Sequence, residues 1–196
     1  MSGVSELRDP QLKLRAPPDL EDAHAAWGAN CGPATLAAAL ALTLEDVKPL
    51  VCNYKRTAHG PDELAYRGLM NATDMRDALQ RSARDFWVLV KETREIERTM
   101  MGPAGHVVCM NPHTMIFLLA WDGPWRTVPR AAATYRHWIA YVHGYLGTMG
   151  PGFVYDVNVG WVPYDFWDET IRPQLIPKRG TGDWSISWAA SLPGAT

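Results

Sequence analysis

Short metal-binding and phosphate-binding motifs are missing from this sequence. Its three cysteines, Cys31, Cys52 and Cys109, stand far apart, which indicates neither a CxxC metal knuckle nor a disulfide framework and fits a reducing compartment. There is no HExxH motif, no pair of histidines four residues apart and no glycine-rich phosphate loop. We therefore expect no metal site and no cofactor.

Long hydrophobic runs and an excess of one charge are also missing. The longest apolar runs, at 36–42 and 115–121, fall far short of the roughly 20 residues that span a bilayer. Lysine and arginine number 19 against 21 acidic residues, and they are scattered. Residues 1–15 contain no apolar core of a signal peptide. These features predict a cytoplasmic protein that binds neither membranes nor nucleic acid, and they leave the oligomeric state open.

The size and composition are typical of one folded domain. Of the 196 residues, 47% are hydrophobic, which is enough to build a core without metal or disulfide support. Residues 1–20 carry Pro10, Pro17 and Pro18 among charges, which favours an extended arm. We predict an arm at 1–20 and a single domain at 21–196.

Helix signals come first along the chain and strand signals follow. Asn30 and Pro33 open a run of small apolar residues that is typical of a buried helix, and Thr43 and Thr73 are predicted to cap two more. Pro163 is predicted to open another helical turn, and 94–101 is a further possible helix. β-Branched and aromatic runs predict strands at 86–90, 106–110, 114–121, 137–143, 153–159 and 184–188. This order predicts an α+β fold with helices packed on a mostly antiparallel sheet.

Cys31 has the sequence environment of a reactive thiol. It lies at the start of the predicted buried helix, where unpaired N–H groups and the helix dipole stabilise a thiolate. A thiolate nucleophile needs a histidine partner and a third group that orients the histidine. Cys52 and Cys109 are interpreted as core thiols.

Three stretches of sequence together resemble the papain-like cysteine peptidases. They are Asn30-Cys31-Gly32-Pro33-Ala34, then Arg136-His137-Trp138-Ile139-Ala140-Tyr141-Val142, then Val154-Tyr155-Asp156-Val157-Asn158-Val159-Gly160-Trp161. The likeness is greatest to the compact double-glycine leader peptidases, which process bacteriocin precursors, and to small stand-alone relatives from bacteria and phages. The resemblance implies a papain-like fold in which the nucleophile lies on a buried helix against the sheet.

The resemblance also implies roles for individual residues. Cys31 would be the nucleophile, His137 the general base and then acid, and Asp156 the residue that orients His137. Asn158 is the rival orienter, because residues two apart on a strand share a face. A second pairing, His106 with Asp122, stays open as an alternative base and orienter.

One position departs from the family pattern. The family carries a glutamine six residues before the nucleophile, whose amide stabilises the oxyanion, and here that residue is Ala25. Asn30, Trp27 and His24 are the candidate replacements. Trp161, shortly after the orienter, is predicted to lie beside the site and shield it from water.

The predicted function is hydrolysis of peptide or isopeptide bonds in a peptide or protein substrate, through a thioester intermediate. An acyltransferase with the same triad remains an alternative. A catalytically silent domain that serves in binding or assembly is a second alternative, and Ala25 at the glutamine position is the reason for considering it.

Overall fold

The computed structural model describes residues 14–57, 60–88, 114–127, 135–142 and 152–192. Helices dominate its first part, and strands dominate the rest. The helices are α1 (Leu20–Trp27), α2 (Cys31–Leu40), α3 (Leu44–Val51), α4 (Ala72–Arg81) and α5, a series of α, π and 3-10 turns over 164–175. The strands are β1 (Asn53–Thr57), β2 (Gly60–Ala65), β3 (Trp87–Val88), β4 (Thr114–Trp121), β5 (Arg136–Val142), β6 (Phe153–Asp156), β7 (Gly160–Pro163) and β8 (Trp184–Leu192).

Within the described ranges, the strands form two antiparallel sheets. β1 and β2 make a hairpin of their own. β3 to β8 make a six-stranded sheet in the order β3-β8-β4-β5-β6-β7, and each neighbouring pair is antiparallel. The predicted combination of helices with an antiparallel sheet is confirmed.

The large sheet is covered on both faces. Alternate residues of β4 point to opposite sides, as strand geometry requires. Ile116 and Leu118 pack with Leu36 and other residues of the first four helices. Phe117 and Leu119 pack instead with a second cluster that contains Trp167 of α5. The core therefore lies in two layers, and α5 covers the face opposite the N-terminal helices.

Helix α2 is the buried helix that its composition predicts. Every residue from Gly32 to Leu40 except Ala39 is buried, and small side chains let the helix lie directly on the sheet. Thr35, a buried polar residue, donates its hydroxyl to the carbonyl of Trp138 on β5 at 3.1 Å. This bond ties α2 to β5.

Several predicted elements need correction. Residues 1–13 of the predicted arm at 1–20 lie outside the described residues. Helix α1 was not predicted, and it already begins at Leu20. The hairpin of β1 and β2 was also missed. The cap of α4 is Asn71 rather than Thr73, because the Asn71 side chain accepts from the N–H groups of both Thr73 and Asp74. The predicted helix at 94–101 and the predicted strand at 106–110 lie outside the described residues.

The predicted single strand at 153–159 is wrong. The chain forms β6, turns at 157–159 and returns as β7, with Tyr155 paired to Trp161 and Asp156 paired to Gly160. Gly160 has a φ of +76°, a left-handed conformation that glycine adopts without strain. The turn places Asp156 at the end of a strand, beside the start of β5.

Among the described residues, no helix is both long enough and apolar enough to cross a membrane.

Candidate active site

Cys31 is the first residue of α2, and the sequence around it builds the helix start. The side chain of Asn30 accepts a hydrogen bond from the N–H of Gly32 at 3.2 Å, which caps the helix. The N–H groups of the first turn have no partner within the helix, and they concentrate positive potential at the sulfur. Cys31 is half-buried and reduced.

His137, near the start of β5, lies between Cys31 and Asp156. Its Nε2 is 3.0 Å from Oδ2 of Asp156. The other ring nitrogen, Nδ1, is then the one left to hydrogen-bond with the sulfur of Cys31. The side chain of His137 is 13% exposed and that of Asp156 is fully buried, so the contact between His137 and Asp156 is largely shielded from water.

The charges of these groups shift the pKa of each partner. Burial alone would raise the pKa of the Cys31 thiol, but the hydrogen bond and positive charge of His137, with the N–H of Trp138, lower it below 9.0. Burial alone would lower the pKa of His137, yet its bonds to Asp156 and Cys31 raise it from 6.5 to about 10. The hydrogen bond and charge of His137 therefore stabilise the thiolate of Cys31, and Asp156 and Cys31 stabilise the imidazolium of His137.

Asp156 is a fully buried carboxylate with four hydrogen-bond donors. His137 and the indole N–H of Trp167 reach Oδ2, the latter at 2.9 Å. The backbone and side-chain N–H groups of Asn158 reach Oδ1 at 3.0 and 2.8 Å. Burial raises the pKa of Asp156, but these bonds and the charge of His137 lower it overall. The carboxylate is thus held ionised in the protein interior.

Asn158 occupies a different place from the one predicted. It lies in the turn after β6 rather than on a shared strand face, and its bonds go to Asp156. The group in contact with His137 is Asp156, and Asn158 supports that carboxylate. The alternative pairing of His106 with Asp122 is not described, since His106 lies outside the described residues.

The three oxyanion candidates differ in whether their donors are already used. His24 is bound through Nδ1 to the carbonyl of Ala29 at 2.7 Å. Asn30 donates Nδ2 to the carbonyl of Gly68 at 2.6 Å. Trp27 has a buried indole N–H without a hydrogen-bond partner among the described residues, and Ala25 is an exposed residue of α1.

Trp161 does not lie where the sequence indicated. It faces Tyr155 across the hairpin, with ring centroids 5.6 Å apart, and packs in the cluster of Ala34 and Ala38. Since neighbouring strand residues point to opposite faces, this is the face opposite Asp156. The indole on the carboxylate belongs instead to Trp167, which comes from α5. No local sequence pattern links Trp167 to Asp156.

Tyr66 is a further residue of the site that the sequence did not reveal. Its hydroxyl donates to Oδ1 of Asn30 at 3.0 Å, and its ring meets the ring of Trp27 edge-on at 5.5 Å. Burial and the nearby charge of Cys31 raise the pKa of Tyr66, so it stays a neutral donor. A tyrosine directly after β2, a strand that the sequence did not reveal, carries no signal for such a contact.

In the described part of the chain, no group of three or more His, Cys, Asp or Glu residues could hold a metal ion. No family model, curated protein or solved structure matches this chain.

Proposed function

We propose that this protein is a papain-like cysteine hydrolase that cleaves peptide or isopeptide bonds. The observation that carries the proposal is the chain of contacts from Cys31 through His137 to the buried carboxylate of Asp156. The three groups come from α2, β5 and the end of β6, which matches the helix-first order of the family that the sequence resembles.

The geometry supports a two-step reaction. The Cys31 thiolate attacks the carbonyl carbon, and its electron pair forms the new C–S bond while the carbonyl oxygen becomes an oxyanion. His137 gives its proton to the leaving nitrogen as the C–N bond breaks, which leaves a thioester. Water then attacks the thioester while His137 removes its proton, and the C–S bond breaks to release the acid and the thiolate.

Two groups are available to stabilise the oxyanion. The backbone N–H of Cys31 belongs to the first turn of α2, where N–H groups lack helical partners. The indole N–H of Trp27 is buried and unpartnered in the described residues, and Trp27 contacts Tyr66 beside the helix start. We assign to Trp27 the part that a glutamine at position 25 would play.

Alkylation with iodoacetamide tests the nucleophile directly. At about pH 6, Cys31 should react at least tenfold faster than Cys52, whose pKa is raised by burial. His137→Ala should remove that advantage, because the imidazolium that stabilises the thiolate is gone. If Cys31 labels no faster than Cys52 across the pH range, the enzyme proposal fails.

Cleavage of a diverse peptide library, with Cys31→Ala as the matched control, tests hydrolysis itself. New amino termini should appear with the unaltered protein and not with the variant.

One observation favours a catalytically silent binding module as the second candidate. The position of the family glutamine is an exposed alanine, and a lost oxyanion donor costs about 10²- to 10³-fold in turnover. Rapid alkylation of Cys31 without any cleavage of the library would support this alternative.

A further inference from the structure

Tyr66, the residue directly after β2, contacts both ends of the turn that leads into α2. That turn runs from Trp27, the last residue of α1, to Asn30, which directly precedes Cys31. The ring of Tyr66 meets the ring of Trp27 edge-on, with centroids 5.5 Å apart and planes at 88°. Its hydroxyl donates to Oδ1 of Asn30 at 3.0 Å. One side chain therefore links the end of α1 to the start of α2.

The side-chain amide of Asn30 is held in one orientation. Its oxygen has two lone pairs, and it accepts both the N–H of Gly32 at 3.2 Å and the hydroxyl of Tyr66. Its nitrogen donates to the carbonyl of Gly68 at 2.6 Å. Rotation of the amide by 180° would break all three bonds, because the amino group would then face two donors. Asn30 thus fixes the backbone from which the N–H of Cys31 projects.

The indole of Trp27 depends on ring contacts for its orientation, because its buried N–H has no hydrogen-bond partner among the described residues. The backbone that carries it is fixed separately. The N–H of Gly28 bonds to the carbonyl of His24 at 3.0 Å, and Nδ1 of His24 is 2.7 Å from the carbonyl oxygen of Ala29. The edge-on contact with Tyr66 then restrains the ring on that backbone.

Tyr66 can influence a reaction at Cys31 only through its neighbours. Burial, and then the charge of nearby Cys31, raise the pKa of Tyr66, so its hydroxyl stays protonated at neutral pH. That hydroxyl already donates to Asn30, which leaves it no proton for a substrate. The groups through which Tyr66 acts are therefore the ring of Trp27 and the amide of Asn30.

We propose that Tyr66 is a positioning residue for the oxyanion site. It holds the indole N–H of Trp27 and the backbone N–H of Cys31 in the relative placement that an oxyanion requires. This inference rests on the proposed hydrolase function and on the part assigned there to Trp27. Donors stabilise an oxyanion fully only when they are in place before the reaction, and a misplacement of about 1 Å costs roughly 10²-fold in rate. Tyr66 therefore contributes to kcat without contacting the substrate.

A double-mutant cycle tests whether Tyr66 acts through Trp27. Tyr66→Leu should lower kcat by about tenfold and leave KM within about twofold, because it loosens a donor that acts in the transition state. In the Trp27→Phe background, where that donor is gone, the same replacement should change kcat by no more than about twofold. Tyr66→Phe keeps the ring contact and should restore most of the lost kcat. Tyr135→Phe, which removes a hydroxyl from a ring stacked on Trp125, is the matched control and should behave like the unaltered protein.

Alkylation of Cys31 by iodoacetamide, which forms no oxyanion, should proceed at a similar rate in all these variants. An equal loss of kcat from Tyr66→Leu in both backgrounds, or a raised KM with unchanged kcat, would overturn the positioning role and leave the hydrolase standing. Loss of alkylation together with kcat would show that Tyr66 supports the nucleophile instead, which also overturns the role. Absence of cleavage that depends on Cys31 would overturn the hydrolase and the positioning role with it.

Discussion

At the scale of single residues, Asp156 determines the electrostatics of the site. A carboxylate with no exposed surface is stable only when its oxygens are hydrogen-bonded, and here both are. Because Trp167 and Asn158 hold the charge in place, His137 is aligned and kept protonated. The choice between Asp156 and Asn158 was open from the sequence, because it depended on a turn that separates them.

Asp156→Asn should lower the pKa of His137 from about 10 towards its ordinary value, since the variant removes the negative charge and its hydrogen bond. The alkaline limb of the proposed hydrolysis should move to lower pH, because in that reaction the imidazolium is the acid that protonates the leaving group. NMR titration of the His137 ring measures the shift directly. Asp183→Asn, at an exposed carboxyl, is the control, and an unchanged His137 titration in Asp156→Asn would contradict the prediction.

Trp27→Phe should lower kcat by about 10²-fold, because it keeps the ring against Tyr66 and removes only the unpartnered N–H. The alkylation rate of Cys31 should change little, since iodoacetamide forms no oxyanion. Steady-state kinetics on a peptide found in the library screen measure the effect. A variant with unaltered kcat would exclude Trp27 as the donor.

At the scale of elements, local sequence signals determine how much could be predicted. Asn30 caps α2 and Thr43 caps α3 with bonds between neighbours in sequence, so both helix starts were predicted correctly. The start of α1 has no such signal, because the side chain of Asp19 is used elsewhere, on the N–H groups of Leu44 and Glu45.

The same reasoning explains the missed turn and the missed tryptophan. Val157 and Val159 favoured a continuous strand, whereas Asn158 and Gly160 were the turn signals that prevailed. The bond of Trp167 to Asp156 depends on how α5 packs over the sheet, which is a long-range property. The sequence therefore predicted the residues of the contact chain better than the groups that support them.

Gly32→Ala should destabilise the protein by about 1–3 kcal/mol, because the new methyl group would overlap with Met70. It should also slow alkylation of Cys31 by moving the helix start away from His137. Denaturant unfolding and iodoacetamide kinetics measure the two effects. Ala39→Ser, at a half-buried position of the same helix, should show neither. Equal behaviour of the two variants would mean that the contact with Met70 is unimportant.

At the scale of the whole molecule, the site joins the layers of the fold. Cys31 comes from the helices on one face of the sheet, His137 and Asp156 from the sheet, and Trp167 from α5 on the other face. The charged pair of Cys31 and His137 can therefore form only in the complete fold. The protons that this pair binds or releases on folding should make the free energy of unfolding depend on pH.

Above pH 6.5, and between the lowered pKa of folded Cys31 and the ordinary cysteine pKa of 9.0, the folded pair holds one proton on His137 and the unfolded pair holds one on Cys31. The two states bind equal numbers of protons, so the pair contributes no pH dependence to the free energy of unfolding in this range. Above 9 the unfolded cysteine loses its proton while the folded pair keeps one, so the stability that the pair contributes should decline as the pH rises further.

Cys31→Ser should convert this plateau into a slope. Its folded state keeps the proton that Asp156 holds on His137, while its unfolded state loses that proton as the pH rises through 6.5. The variant should therefore lose stability with rising pH, at up to about 1.4 kcal/mol per pH unit relative to the unaltered protein. Denaturant unfolding of both proteins in steps from pH 5 to 10 measures the difference, in which the other titrating groups cancel. A difference that stays constant through neutral pH would show that Cys31 is a neutral thiol in the folded protein.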